Sequence, residues 1–213
     1  MNIFSYESKF SQVFLRLAFS CWLNTLWVLC SLPIFTIGAS TTALYKVTLK
    51  IADETESNIT AEFFKAFRAN FAQATRVWLI MLLAGVLLGT DGYIVSHLRA
   101  ASTGPMAVIW TLNLAMIICA AIVYVIVLIY IFPLISRFEN TDWAMFKNAF
   151  LIGIHFLFCT ISVAFIHFAM FYAVVAIFTP LIIFGEGLCA LLSSYLMLDV
   201  MRVVSGNPDE AEE

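Results

Sequence analysis

Hydrophobic positions along this chain come in long unbroken runs rather than in alternation. No charged residue stands from Leu17 to Tyr45, from Ala100 to Ser136 or from Asn148 to Gly185, and the run from Val77 to Leu98 carries only Asp91. The hydrocarbon core of a bilayer is about 30 Å thick and takes about 20 helical residues. The run after Lys147 would make one helix of about 57 Å at 1.5 Å per residue, so it has to fold back. Thr179-Pro180 marks the place, since Thr caps a new helix and Pro is tolerated at its first position. The pattern therefore predicts an all-α, polytopic transmembrane helical bundle of five spans. They run at about Phe14–Leu32, Thr75–His97, Pro105–Phe132, Ala149–Ala176 and Pro180–Met201. Continuous runs exclude a β-barrel, whose strands alternate. Residues 1–213 read as one integral membrane domain with an acidic tail over 207–213.

Residues 41–74, between the first two spans, carry a pattern of their own. Ser40 is placed to cap a helix starting at Thr41, with Lys46 and Lys50 on one face and Leu44, Val47 and Ile51 on another. From Ala61 to Thr75 the helical period resumes. Phe63, Phe67 and Phe71 recur at i, i+4 and i+8 with Phe64 beside them, while Lys65, Arg68 and Arg76 face elsewhere. An aromatic face backed by cations suits a helix lying in the membrane interface. It equally suits a docking surface for a partner. A weak internal repeat, or a coincidence in an apolar alphabet, pairs Leu32-Pro33-Ile34-Phe35 with Phe132-Pro133-Leu134-Ile135. Each is followed by a basic-aromatic connector, as in the parallel repeats of some transporters.

Composition narrows the class. Of the 213 residues 62% are hydrophobic and 12% charged, against about 25% charged in soluble domains. That argues against a water-soluble enzyme, a disordered chain and a nucleic-acid binder. The net charge of −3 comes from Asp209, Glu210, Glu212 and Glu213 in the tail. Lys and Arg set orientation, because cytoplasmic loops retain them. With five spans, eight cations share one side (Lys46, Lys50, Lys65, Arg68, Arg76, Arg137, Lys147, Arg202) against Lys9, Arg16 and Arg99 on the other. This predicts the N-terminus outside and the C-terminus cytoplasmic. The first apolar run is too long for a cleaved signal peptide. Cys21, Cys30, Cys119, Cys159 and Cys189 are odd in number, lack a C-x-x-C pair and lie in apolar runs, so they read as small lipid-phase residues.

Ionisable residues within spans are costly and mark candidate sites. Asp91, Glu186, Arg16, Arg99 and His167, with His97 and Asn24 at the same level, are expected to form an outward-facing polar cluster. Such a cluster fits a small polar solute, an ion or a lipid headgroup; simple ion pairing accounts for it as well. His155 and His167 lie about 120° apart around a helix and cannot share a metal. Asp199 and Arg202 form an i, i+3 pair. No P-loop, G-x-S-x-G, H-E-x-x-H or dinucleotide fingerprint occurs, so no enzyme, no catalytic, cofactor-binding or metal residues and no cofactor are expected.

The stretch from Asn24 to Tyr45, with its Leu32-Pro-Ile-Phe-Thr-Ile-Gly-Ala-Ser40 block, and the stretch Phe63 to Trp78 resemble the signature of the YesL family. These are bacterial integral membrane proteins carried as a domain of unknown function. The resemblance implies a cell-membrane protein with an accessory role in carbohydrate uptake or sensing, partnered with an ABC-type sugar transporter or a membrane sensor. It carries over no catalytic residues. Two readings follow. In the first, an interaction protein works through Phe63, Phe64, Lys65, Phe67, Arg68, Phe71 and Arg76. In the second, a small secondary transporter or channel works through the polar cluster. Oligomeric state is open in both.

Overall fold

Pro33 decides the first turn of the fold. It lacks an N–H and ends the opening helix, and Thr36 ties the turn by donating its hydroxyl to the carbonyls of Cys30 and Pro33, both at 2.6 Å. The chain then reverses into a second helix instead of running out into an interfacial loop. In the computed structural model, which describes residues 9–55 and 57–206, these are α1 (Lys9–Ser31) and α2 (Ile37–Ala52). The rest follow as α3 (Ile59–Ala101), α4 (Pro105–Arg137), α5 (Asp142–His155), α6 (Leu157–Tyr172) and α7 (Gly185–Val204). The acidic tail expected over 207–213 lies outside the described residues.

Five of the described helical segments are long and apolar enough to cross a membrane: Gln12–Ser31, Ile59–Ala101, Pro105–Arg137, Leu157–Ile177 and Gly185–Val204. The expected fold class holds. α2 is the exception in length. Its 16 residues span about 24 Å, and most of them are buried among the other helices. Ser40 does not cap it. The helix begins three residues earlier, and the Ser40 hydroxyl donates back to the carbonyl of Thr36 at 3.1 Å. Gly38 lets α2 lie directly on α3, since a Cβ there would stand 2.5 Å from the Ala74 carbonyl oxygen and from Trp78 Cβ.

α3 merges two expected elements. Asn58 caps it by accepting from the Ala61 N–H at 3.1 Å, and no breaker interrupts it until Ser102. Its 43 residues make about 64 Å, twice the hydrocarbon thickness. The first half bears Glu62, Lys65, Arg68, Gln73 and Arg76; the second is apolar and pairs with the start of α4. That hairpin exposes Leu83, Leu87, Ile109, Leu112 and Met116, each more than half accessible, a surface made for lipid. The expected interfacial helix is thus the lower half of a spanning one. Phe63 is fully buried in the core, with Phe67 and Phe71 packed partly against it, so the aromatic face meets α2 and its neighbours instead of lipid.

The fourth expected span also changes. Phe156 breaks the helix, and Thr160 repairs the gap by donating to the carbonyls of Gly153 at 2.7 Å and Phe156 at 3.1 Å. The spanning part starts at Leu157 and ends in a π-helical turn, Ala173–Ile177. Thr179-Pro180 opens a short 3₁₀ turn, Thr179–Ile183, and α7 begins only at Gly185. Pro33 and Pro133 are not equivalent either: Pro133 sits inside α4, which continues to Arg137.

The start of α7 is capped from a distance. Asn24 of α1, 4% exposed, donates its amide to the carbonyls of Ile182 at 3.0 Å and Ile183 at 2.9 Å and accepts from the Gly187 N–H at 3.1 Å. Backbone groups left free by the 3₁₀-to-α change find partners where water is absent. Gly187 permits the approach, since a Cβ there would overlap the Ser20 carbonyl.

Candidate functional site

Ion pairs gather at one end of the bundle. Asp53 and Glu54, adjacent at the close of α2, hold Arg202 of α7 at 2.8 Å and Arg16 of α1 at 2.7 Å. Lys50 donates to Glu62 at 2.6 Å, and Arg76 meets Asp142 of α5 at 3.2 Å. The Arg76 guanidinium, with burial acting against it and Gln73 adding a second bond, holds the Asp142 carboxyl below its ordinary value. Asp199 also meets Arg202, at 3.7 Å, as its i, i+3 spacing implies.

This arrangement corrects the expected level of Arg16. It stands at the same end as Arg202, with its guanidinium over the Tyr195 ring at 5.6 Å to the centroid. The start of α1 and the end of α7 therefore share one end of the molecule. The opposite-sides expectation fails because α2 returns the chain once more than the run of apolar residues revealed.

The expected polar cluster divides. His167 of α6 and Glu186 of α7 do come together, Nε2 to Oε1 at 3.5 Å. Arg16 is committed elsewhere. Asp91 is exposed on the far α3–α4 hairpin, and Arg99 at its tip donates to the Thr111 hydroxyl at 3.0 Å. Asn24 serves the backbone. His97 packs edge-on against Tyr93. Among the described residues no group of His, Cys, Asp and Glu side chains is placed to hold a metal.

Two of the cavities among the described residues are roomy enough to matter as places for a ligand. The first, about 330 Å³, is walled by Trp27, Tyr45, Trp78, Ile129, Phe132 and the His167–Glu186 pair. Trp27 donates to the Thr41 hydroxyl at 3.0 Å within it. It is an apolar hollow with one acid–imidazole pair, not a polar lane through the bundle. The second, about 440 Å³, lies at the charged end between α2, the start of α3 and the end of α4. Lys46, Lys50, Lys65, Arg137, Glu62 and Glu139 line it, with Ser57, Asn58 and Asn70. Burial, and then the neighbouring Lys50 and Arg137 cations, push the Lys46 pKa down. Sequence reasoning treated Lys46 and Arg137 only as markers of sidedness. The i, i+4 pairing of Lys46 and Lys50 was visible, but nothing in the spacing showed that Arg137 joins them.

The surface proposed on α3 is narrower than the sequence implies. Phe64, Lys65, Arg68 and Arg76 are exposed, whereas Phe63 is core and Phe67 and Phe71 are half-buried.

A family model described as "Protein of unknown function, DUF624" matches residues 20–92. The match covers most of α1, all of α2 and most of α3, less than half of the chain, and encloses both stretches that resemble YesL proteins. No curated protein and no solved structure matches the chain.

Proposed function

We propose that the protein is a non-catalytic accessory component of a bacterial cell membrane that docks on an acidic cytoplasmic face of a membrane transport or sensing assembly. The supporting observation is where the charges are spent. Arg16, Lys50, Arg76 and Arg202 are ion-paired within the chain, whereas Lys65 and Arg68, side by side and exposed on α3, have no ion-pair partner among the described residues. A short basic stripe held rigid on a helix at the membrane edge attracts an acidic surface and orients it. Ten cations stand on the segments at this end and Arg99 at the other, so this end is cytoplasmic, with the start of α1 and the end of α7 both there. The link to carbohydrate uptake, through an ABC-type sugar transporter or a membrane sensor, rests on the resemblance to the YesL family alone.

The test is co-purification from native membranes with Lys65→Glu combined with Arg68→Glu. Both side chains are exposed, so the fold stays intact. Loss of a partner captured by the wild type supports docking; retention of the same partner at the same yield refutes it. A transporter reading survives only through the His167–Glu186 cavity. Liposome flux abolished by Glu186→Gln would favour it.

A further inference from the structure

We propose that the 440 Å³ cavity at the charged end binds a phosphate-bearing anion. Four features converge there. The cavity collects Lys46 and Lys50 from α2, Lys65 from α3 and Arg137 from α4. Only Lys50 is neutralised, by Glu62, which also accepts from Ser57 at 2.9 Å. Lys46, Lys65 and Arg137 have no ion-pair partner among the described residues. With Glu62 and Glu139 counted, the lining keeps two positive charges, matching a phosphate dianion.

The backbone adds to this. The amino end of α3 opens at Asn58 into the same cavity; Asn58 accepts from the Ala61 N–H through its side chain and from the Glu62 N–H through its carbonyl, which leaves the N–H groups of Ile59 and Thr60. The remaining first-turn N–H groups and the positive end of the helix dipole favour an anion there. The side chains of Ser57, Asn58 and Asn70 line the wall and supply further polar groups. Lys46 is half-buried; burial, Lys50 and Arg137 oppose its charge, and Glu62 offsets them in part. Holding three like charges around a hollow is unfavourable until something negative enters. A tetrahedral phosphate has the acceptor oxygens to meet lysine, arginine and helix N–H groups together. The volume leaves room for an organic group attached to it. This site shares Lys65 with the exposed Lys65–Arg68 stripe, whereas Lys46 and Arg137 belong to the cavity alone.

Two sources carry this chemistry: a lipid phosphate headgroup and a soluble phosphate compound. Lys46 reports both. The full chain, in phosphatidylcholine nanodiscs, is treated with a small amine-acylating reagent, and modification of Lys46 and of exposed Lys147 is followed by mass spectrometry. An anion beside Lys46 raises its pKa. A rise of one unit slows acylation about tenfold at fixed pH. Inorganic phosphate is added in one arm, and phosphatidate is built into the disc in the other.

Slowing at Lys46 but not Lys147 with inorganic phosphate alone assigns a soluble ligand. Slowing with phosphatidate alone assigns a headgroup, and slowing in both assigns the phosphate group itself. Arg137→Gln should cut the protection, and Lys65→Gln, at an exposed position that leaves folding intact, should do the same. The proposal is overturned if neither arm protects Lys46, or if chloride at equal ionic strength protects it as well.

Discussion

Replacing Asn24 by Leu tests the long-range cap most directly. The two side chains have similar volume, so packing is nearly conserved and the change is confined to hydrogen bonding. Three bonds disappear: two donated to Ile182 and Ile183 and one accepted from Gly187. Side-chain hydrogen bonds inside membranes contribute about 0.6 kcal/mol on average and at most about 1.7 kcal/mol. Here all three partners are backbone groups at a helix break, with no water to replace Asn24, so values from that average up to about 1.3 kcal/mol apply to each. Their sum gives about 2–4 kcal/mol. For a chain of this size, 1 kcal/mol moves the melting temperature by about 2–4 °C. The expected loss is therefore about 4–16 °C, read by size-exclusion of heated, detergent-solubilised protein. Asn24→Asp keeps the acceptor for Gly187 but loses both donors and buries a charge, so it should be no more stable than Asn24→Leu. If Asn24→Leu melts within a degree of the wild type, the break at Ile182–Gly187 is satisfied by something else and the capping argument is wrong.

Sidedness is open to direct labelling. In a cysteine-free background, Thr55→Cys and Ser205→Cys should resist a membrane-impermeant maleimide in intact cells while Thr103→Cys reacts; labelling of Ser205→Cys without Thr55→Cys would break the shared-end assignment. The Arg76–Asp142 pair makes a pH prediction. Its folded pKa lies below the ordinary 3.8, so the stability it contributes is complete above that value and is lost as pH falls through the lower folded pKa. Asp142→Asn should cost less than about 1 kcal/mol at neutral pH, a partly exposed pair, and nothing once the wild-type carboxyl is protonated. Melting curves for the two proteins that stay equally separated from neutral pH down to about pH 3 would contradict this.

Apolar runs made the spanning class legible and located α1, α4 and α7 closely. They concealed α2. Between Leu17 and Tyr45 no charge marks a boundary, and in lipid a buried return helix and a lipid-facing one are both apolar all round. Only Pro33 carries the signal, and a proline at that place ends a span as readily as it reverses the chain. The Phe63–Phe67–Phe71 period correctly gave a helix with one aromatic face. Periodicity reports that a face is covered, not whether lipid or protein covers it, and here Phe63 meets protein. The polar cluster failed for a related reason. Depth along a helix follows from the number of crossings before it, and the buried return of α2 puts Arg16 at the opposite end from Asp91 and Arg99. His167 and Glu186 come together because α6 and α7 are neighbours in sequence, and that pairing needed no count of crossings.

The ion pairs at the charged end carry an argument that their individual strength does not. Exposed pairs contribute about 0–1 kcal/mol each and cannot account for the assembly of the bundle. Yet they join α1 to α2, α2 to α7, α2 to α3 and α3 to α5. Helices covered with Leu, Ile, Val and Phe can pack in several registers with similar energy, because dispersion is nearly indifferent to a slide of one turn. A one-turn slide of α7 along α2 moves Arg202 by about 5.4 Å and removes it from Asp53. The pairs thus select one register among many apolar ones. Cations used in this way are consumed, which is why Lys46, Lys65, Arg68 and Arg137 stand out. They sit among residues that are paired for register, yet none has an ion-pair partner among the described residues, and their charge is left to act on a ligand or a partner.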